Sequence, residues 1–348
     1  MEGGSAPAEQ DRHTRRMSDL QHNPTEHECG DDPVRAATEL IPPREVPLGG
    51  PRAMTVRRTL PARGRTMIGA YCFVDHYGPD EIAETGGMVV PPHPHTSLQT
   101  VSWLFSGLIE HRDSTGVTAL VRPGELNLMT AGHGVCHSEV SVKDDDAPQV
   151  LHGVQLWTCL PRESADVEPR FDHFAPEPVQ VDGARVSVFL GELGLPDGQR
   201  PGSPVETFTP LLGAEIVLDP GADLTVEVDP AHEHGVLLDD GTLTVEDADV
   251  EPGHLLHVAA STTTDRLRLR AGDEGARLVL LGGPPFGEQI VMWWNFIGRT
   301  HDEIVRAREQ WQAELGHDPD GRFGAFDYPG GESLPAPTLP PVTLRPRG

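Results

Sequence analysis

The stretch Gly87-(x)5-His93-Pro94-His95, followed by His137-Ser138-Glu139, decides the fold, because short apolar runs broken by Gly and Pro lie between the two histidine pairs. Runs such as Val101 to Gly107 and Thr118 to Pro123 are too short for helices and read as antiparallel strands. Successive side chains on a strand point to opposite faces, so residues two apart share a face. His93 and His95 make one such pair, and His137 and Glu139 another. If the two strands lie side by side in a barrel, three imidazoles and one carboxylate converge on one interior point. That donor set suits a divalent first-row metal. Imidazole favours Fe, Ni, Cu or Zn, and the carboxylate keeps harder and redox-active ions such as Fe(II) or Mn(II) in play. Four ligands leave two octahedral positions open, which points to catalysis; structural zinc sites are closed tetrahedra rich in Cys. Pro94 lacks a backbone donor, which is tolerable at a strand start or sheet edge.

Around this stretch, 348 residues suffice for two domains with a sizeable core. Hydrophobic residues make up only 37%, while 38 Gly and 34 Pro punctuate short strands, so an all-β protein is expected. The formal charge of -27, with no basic stripe, argues against direct nucleic-acid binding; Lys143 is the sole lysine, the other basic side chains being Arg, which reads as codon bias. Cys29, Cys72, Cys136 and Cys159 lie far apart and suggest neither a zinc knuckle nor a disulfide framework. No apolar stretch of about 18 residues and no signal-type segment is present, so a cytoplasmic protein without a membrane span is expected.

Residues 1–38 are polar, carry His13, His22 and His27, and are expected to be disordered. A first barrel begins at Glu39, with Gly49-Gly50 as a turn; Asp144 to Asp146 form an acidic loop, Val150 to Leu160 a closing strand, and 161–204 a connector. Strands recur over 205–298. There His232-x-His234, the Gly241 turn and Pro252-Gly253 repeat the order of the first half without an H-x-E partner, so a second metal would need His232, His234 and His257 to converge. Met292-Trp293-Trp294-Asn295 ends the last long strand. Thr300 and Glu303 then form a capping box before Ile304, Ala307, Trp311 and Leu315 at helical spacing, which predicts a helix over 301–315. The tail 329–348 is Pro-rich and expected to be loose.

Gly87-(x)5-His93-x-His95 resembles the first cupin motif, and Pro123-Gly124 through Glu139 the second. More narrowly, His93-Pro94-His95, Glu110-His111-Arg112-Asp113-Ser114, Met129-Thr130-Ala131-Gly132 and His137-Ser138-Glu139 are similar to the pirin family of two-domain cupins. His152-Gly153-Val154-Gln155-Leu156-Trp157, Ser203-Pro204-Val205 and Arg322-Phe323-Gly324 extend the likeness from about residue 39 to residue 328. Asp75-His76-Tyr77-Gly78 resembles the Asp-x-Phe-Gly stretch of pirins near the pocket mouth, where His76 could act behind the ligands.

The resemblance implies an all-β bicupin: two antiparallel β-barrels of the double-stranded β-helix (jelly-roll) type with a short C-terminal helix. Residues 39–165 would be the metal-binding domain, and 166–328 a metal-free cupin domain whose last strands and helix 301–315 pack back against the first. It also implies one divalent ion, Fe(II) first and Ni, Cu, Mn, Co or Zn as alternatives, held by His93, His95, His137 and Glu139. The implied activity is that of a quercetin 2,3-dioxygenase acting on an aromatic substrate with O2, with Glu139 as the catalytic base for the flavonol 3-hydroxyl. The alternative is a regulatory protein that binds a protein partner according to the metal's oxidation state. A monomer is expected, and Gln99 or Asn127 could orient the imidazoles. Two positions depart from the pattern: Gln99 stands where many cupins place a ligating Glu, and His133 where pirins usually carry Arg.

Overall fold

The computed structural model describes residues 38–48, 54–143, 148–261 and 265–348. The expected tail (but for Thr38), the Gly49-Gly50 turn, Cys29 and the acidic loop 144–146 lie outside the described residues.

The first half supplies strands β1 (Thr38–Ile41), β2 (Arg44–Leu48), β3 (Met54–Leu60), β4 (Tyr71–Glu81), β5 (Val89–His95), β6 (Leu98–Ser106), β7 (Ile109–Asp113), β8 (Thr118–Val121), β9 (Leu126–Thr130), β10 (Val135–Ser141), β11 (Val150–Cys159) and β12 (Arg170–Phe174). A short helix α1 (Ile82–Thr85) follows β4. The second half supplies β13 (Val179–Val181), β14 (Ala184–Leu190), β15 (Leu212–Leu218), β16 (Asp223–Glu227), β17 (Glu233–Val245), β18 (Ala248–Val250), β19 (Leu255–Val258), β20 (Arg266–Gly283), β21 (Val291–Trp293) and β22 (Phe296–Gly298). Helix α2 (His301–Glu314) comes last.

Two sheets face each other in the first domain: a seven-stranded one in the order β12-β9-β6-β11-β4-β3-β2 and a four-stranded one in the order β5-β10-β7-β8. Among the described residues each keeps its own ladder, so the two sheets close on each other mainly by side-chain packing, with one backbone bridge between Leu104 and Pro123. The second domain is a nine-stranded sheet, β1-β19-β17-β20-β15-β14-β13, with β16 added on β20 and β18 on β17.

The period of two explains how the seven-stranded sheet serves both domains. Val74, Val101, Trp103, Leu128, Val154 and Leu156 point outward and pack with Phe189, Leu237, Leu255, Val279 and Leu281 of the second domain. Burying each such side chain contributes about 1.5–3 kcal/mol, so the domains are held together by a shared apolar layer. Polar contacts fix its register: Trp103 Nε1 donates to Glu215 (2.9 Å) and Tyr71 Oη to the Leu212 carbonyl (2.9 Å).

Several elements cross the division at residue 165, which we keep as a proposed boundary. β1 pairs with β19, and β12 with β9. The hairpin β21–β22 and helix α2 return to the first domain, where Trp293, Trp294, Phe296, Ile304 and Trp311 share one cluster with Val56, Val90 and Leu104. The expected last strand is thus two pieces. β20 ends at Gly283, and Trp294 and Asn295 form the turn of the β21–β22 hairpin, with Trp294 at φ 54°.

Thr300 caps α2 by accepting from the Glu303 amide (3.2 Å), while Glu303 reaches back to the Arg299 amide (2.6 Å), one residue before the cap. The tail 329–348 differs from the loose segment expected. Leu334 and Ala336 are buried, the Leu334 amide donates to the Pro92 carbonyl (2.8 Å), and Trp311 Nε1 donates to the Leu334 carbonyl (2.9 Å). Proline-rich chain has few donors of its own, and here donors from α2 reach its carbonyls instead.

Candidate metal centre

β10 lies between β5 and β7, and its register sets the site. His137 pairs with His93 and Asp113, and Glu139 pairs with His111. A register shift between His137 and Glu139 on the β5 side re-aims the carboxylate, as bulges do beside functional sites. β5 is a sheet edge, which accommodates Pro92 and Pro94.

His93, His95 and His137 converge, each offering one donor atom within 4.8 Å of the others. Ring centroids lie 4.3 Å apart for His93 and His137, 4.9 Å for His95 and His137, and 5.0 Å for His93 and His95. A second triad, His111, His137 and Glu139, meets the same criterion, so His137 joins two overlapping sets. All five side chains are buried, Glu139 the least at 6% exposed.

The tautomers follow from the hydrogen bonds. His93 Nδ1 sits 2.9 Å from the Pro91 carbonyl and His95 Nδ1 3.1 Å from the Asn295 carbonyl, so each Nδ1 carries the proton and each Nε2 keeps its lone pair. His137 Nε2 is buried with no hydrogen-bond partner. An orphaned imidazole nitrogen beside two oriented ones fits a divalent ion of the first transition row. Burial pushes His93 down to about 4, and holds His95 and His137 well below the usual histidine range, so the rings are neutral near pH 7. Burial also raises Glu139, against the opposing pull of His111, Ser102 and Gln155. Ser102 Oγ lies 3.2 Å from Glu139 Oε1.

His111 is the residue sequence reasoning passed over. Its Nε2 donates to Asp113 Oδ2 (2.8 Å), and Asp113 is fixed in turn by the Thr115 amide and hydroxyl. Its Nδ1 lies 3.5 Å from His137 Nδ1. The signal was available: His111-x-Asp113 has the same two-residue spacing as the other pairs.

Gln99 and Asn127, expected to orient the imidazoles, do neither. Gln99 donates to Thr130 Oγ1 (2.9 Å) and Asn127 donates to the Glu125 carbonyl (3.3 Å), while backbone carbonyls take the orienting role. His133 sits outside the cluster, half-exposed and 3.3 Å from Glu168. His76 lies on β4 and is bonded across the domains to Asp239 (2.6 Å), which His152 also reaches (2.7 Å). In the second domain His232 and His234 line a hollow of about 730 Å³, and His257 lies by Glu233 (3.4 Å).

Aromatic side chains wall the cluster. Trp157 meets the His95 ring edge-on at 5.0 Å and stacks on Phe73 at 4.1 Å, and Phe171 lies 4.7 Å from His111.

The sequence pattern of the family described as Pirin matches residues 53–158, and that described as the Pirin C-terminal cupin domain matches 213–315. A Pseudomonas aeruginosa protein named "Putative quercetin 2,3-dioxygenase" is 40% identical over 303 residues, 87% of this chain and 90% of that protein. The chain belongs to the pirin family. Human Pirin is 32% identical over 62% of this chain and 74% of its own length. Among solved structures, the quercetin 2,3-dioxygenase of Acinetobacter baumannii is similar at 35% identity and a TM-score of 0.79, covering 89% of this pirin and 97% of the other.

Proposed function

We propose that this pirin is a metal-dependent dioxygenase that cleaves quercetin or a related flavonol or aromatic enediol with O2. The observation that carries the reading is the buried His93–His95–His137 triad, two of whose rings are oriented by backbone carbonyls while the third keeps an orphaned Nε2. The names borne by the Pseudomonas aeruginosa relative and the Acinetobacter baumannii structure support the same reaction class.

His93, His95, His137 and Glu139 would hold one ion, Fe(II) by preference because a carboxylate joins the imidazoles, with Ni, Cu, Mn, Co or Zn as alternatives. When bound, the ion supplies Lewis acidity and open positions for oxygen ligands. Glu139, raised by burial, is the group we assign to take the acidic hydroxyl proton of the substrate at its carboxylate. Ser102 keeps that carboxylate in place. Trp157 and Phe171 lie beside the imidazoles as apolar walls and help exclude water. No helix among the described residues is long and apolar enough to cross a membrane, and we propose a monomer acting in the cytoplasm.

Oxygen consumption by the metal-loaded protein with quercetin tests the reading. Uptake that disappears in Glu139→Ala supports it; no uptake by the wild-type protein with quercetin or a panel of catechols favours the regulatory alternative.

A further inference from the structure

Facing the His/Glu cluster, the inner side of the seven-stranded sheet carries a row of polar residues where a barrel core would be apolar. Cross-strand register joins them in line: Arg58 with Asp75, Asp75 with Gln155, Gln155 with Ser102, and Ser102 with Asn127. All five are buried, at 2%, 1%, 7%, 4% and 3% exposure respectively. Arg58 forks onto Asp75 at 2.7 and 2.9 Å, and Ser102 Oγ lies 3.1 Å from Gln155 Oε1 and 3.2 Å from Glu139. Burying so many polar groups in one layer costs stability unless they are paired or used.

Two polar atoms on this wall have no partner. One is the Asn127 carbonyl oxygen, the other the hydroxyl of Tyr77, a fully buried residue on the same face of β4 as Asp75. Burial raises the Tyr77 phenol, and the carboxylates of Glu139 and then Asp75 push it further in the same direction, so the ring lies within their field. An unsatisfied buried hydroxyl costs about 1–3 kcal/mol, and phenylalanine would avoid that cost at the same shape.

Resting on the dioxygenase reading, we propose that Tyr77 is a specificity-determining residue. Its hydroxyl hydrogen-bonds an oxygen substituent of the bound aromatic, and Asn127 Oδ1 accepts from a second hydroxyl, so the site takes multiply oxygenated flat ligands in preference to plain aromatics. The ligand supplies the partners that these two groups lack.

The test is equilibrium binding of quercetin to the metal-loaded full chain under anaerobic conditions, which removes turnover from the readout. Tyr77→Phe is expected to bind quercetin about tenfold more weakly, the loss of roughly one hydrogen bond, with unchanged ion content and a melting temperature equal to or above that of wild type. Asn127→Ala is expected to weaken binding in the same direction. Equal quercetin affinity in wild type and both variants overturns the assignment and leaves the dioxygenase reading standing. For Tyr77→Phe, a lower melting temperature or lost ion accompanying the weaker binding overturns it in favour of a structural role. Failure of the wild-type protein to bind quercetin at all removes the dioxygenase reading and this inference with it.

Discussion

The two domains fill their interiors differently. In the second, a large core between strands is built of Val, Leu, Ile and Ala, from Val186 and Ile216 to Leu238, Leu278 and Leu280, with His234 a buried polar side chain at its end. In the first, the matching space holds His93, His95, His111, His137 and Glu139 on one sheet and Asp75, Ser102, Gln155 and Asn127 on the other. Apolar packing adds stability, whereas buried imidazoles and carboxylates reduce it unless a ligand or ion engages them. The contrast fits the proposal that the first domain holds the metal site, with the second as its apolar support.

Four changes would sharpen or break that contrast. The largest effect is expected from His95→Ala, which should lower ion affinity by at least about a hundredfold while leaving the fold intact, read by elemental analysis and circular dichroism. Leu280→Ala, in the second core, should do the reverse: a loss of about 2–5 kcal/mol in denaturant unfolding with ion content unchanged. If instead His95→Ala unfolds the protein, the contrast fails.

The third concerns pH. His93 falls to about 4 in the folded chain from an ordinary value near 6.5, so between those values the unfolded chain binds the proton and the folded one does not. Stability of the ion-free protein should therefore fall as pH drops from about 6.5 to 4, by roughly 3 kcal/mol from His93 alone, with His95 and His137 acting in the same direction. The measurement is urea unfolding at a series of pH values. The smallest effect is expected from Asp239→Asn, at the joint between domains. Burial pushes Asp239 up, but hydrogen bonds from His152 and His76 outweigh that and hold it well below the usual carboxylate range. Weakening those bonds should cost about 1–3 kcal/mol in unfolding and leave ion content alone.

How much of this was legible in the sequence depended on distance along the chain. The strand period made His93 with His95 and His137 with Glu139 readable as facing pairs, and Thr300 with Glu303 marked the start of α2. His111 could have been read by the same rule. The carbonyl of Asn295 could not, because any residue has one, and only the fold brings it 3.1 Å from His95, 200 positions away. The tail was misjudged for a related reason. Its prolines signal looseness locally, while the donors that hold it sit on Trp311 and other residues remote in sequence. His76 read as a pocket-mouth residue behind the ligands because its partner, Asp239, belongs to the other domain.

X-ray absorption at the edge of the bound metal tests the central claim most directly. Three imidazole nitrogens and a carboxylate oxygen at about 2.0–2.2 Å are the expected ligands, falling to two imidazoles in His93→Ala. A shell with sulfur, with fewer than three imidazoles in the wild-type protein, or unchanged by that substitution would contradict the assignment of His93, His95, His137 and Glu139.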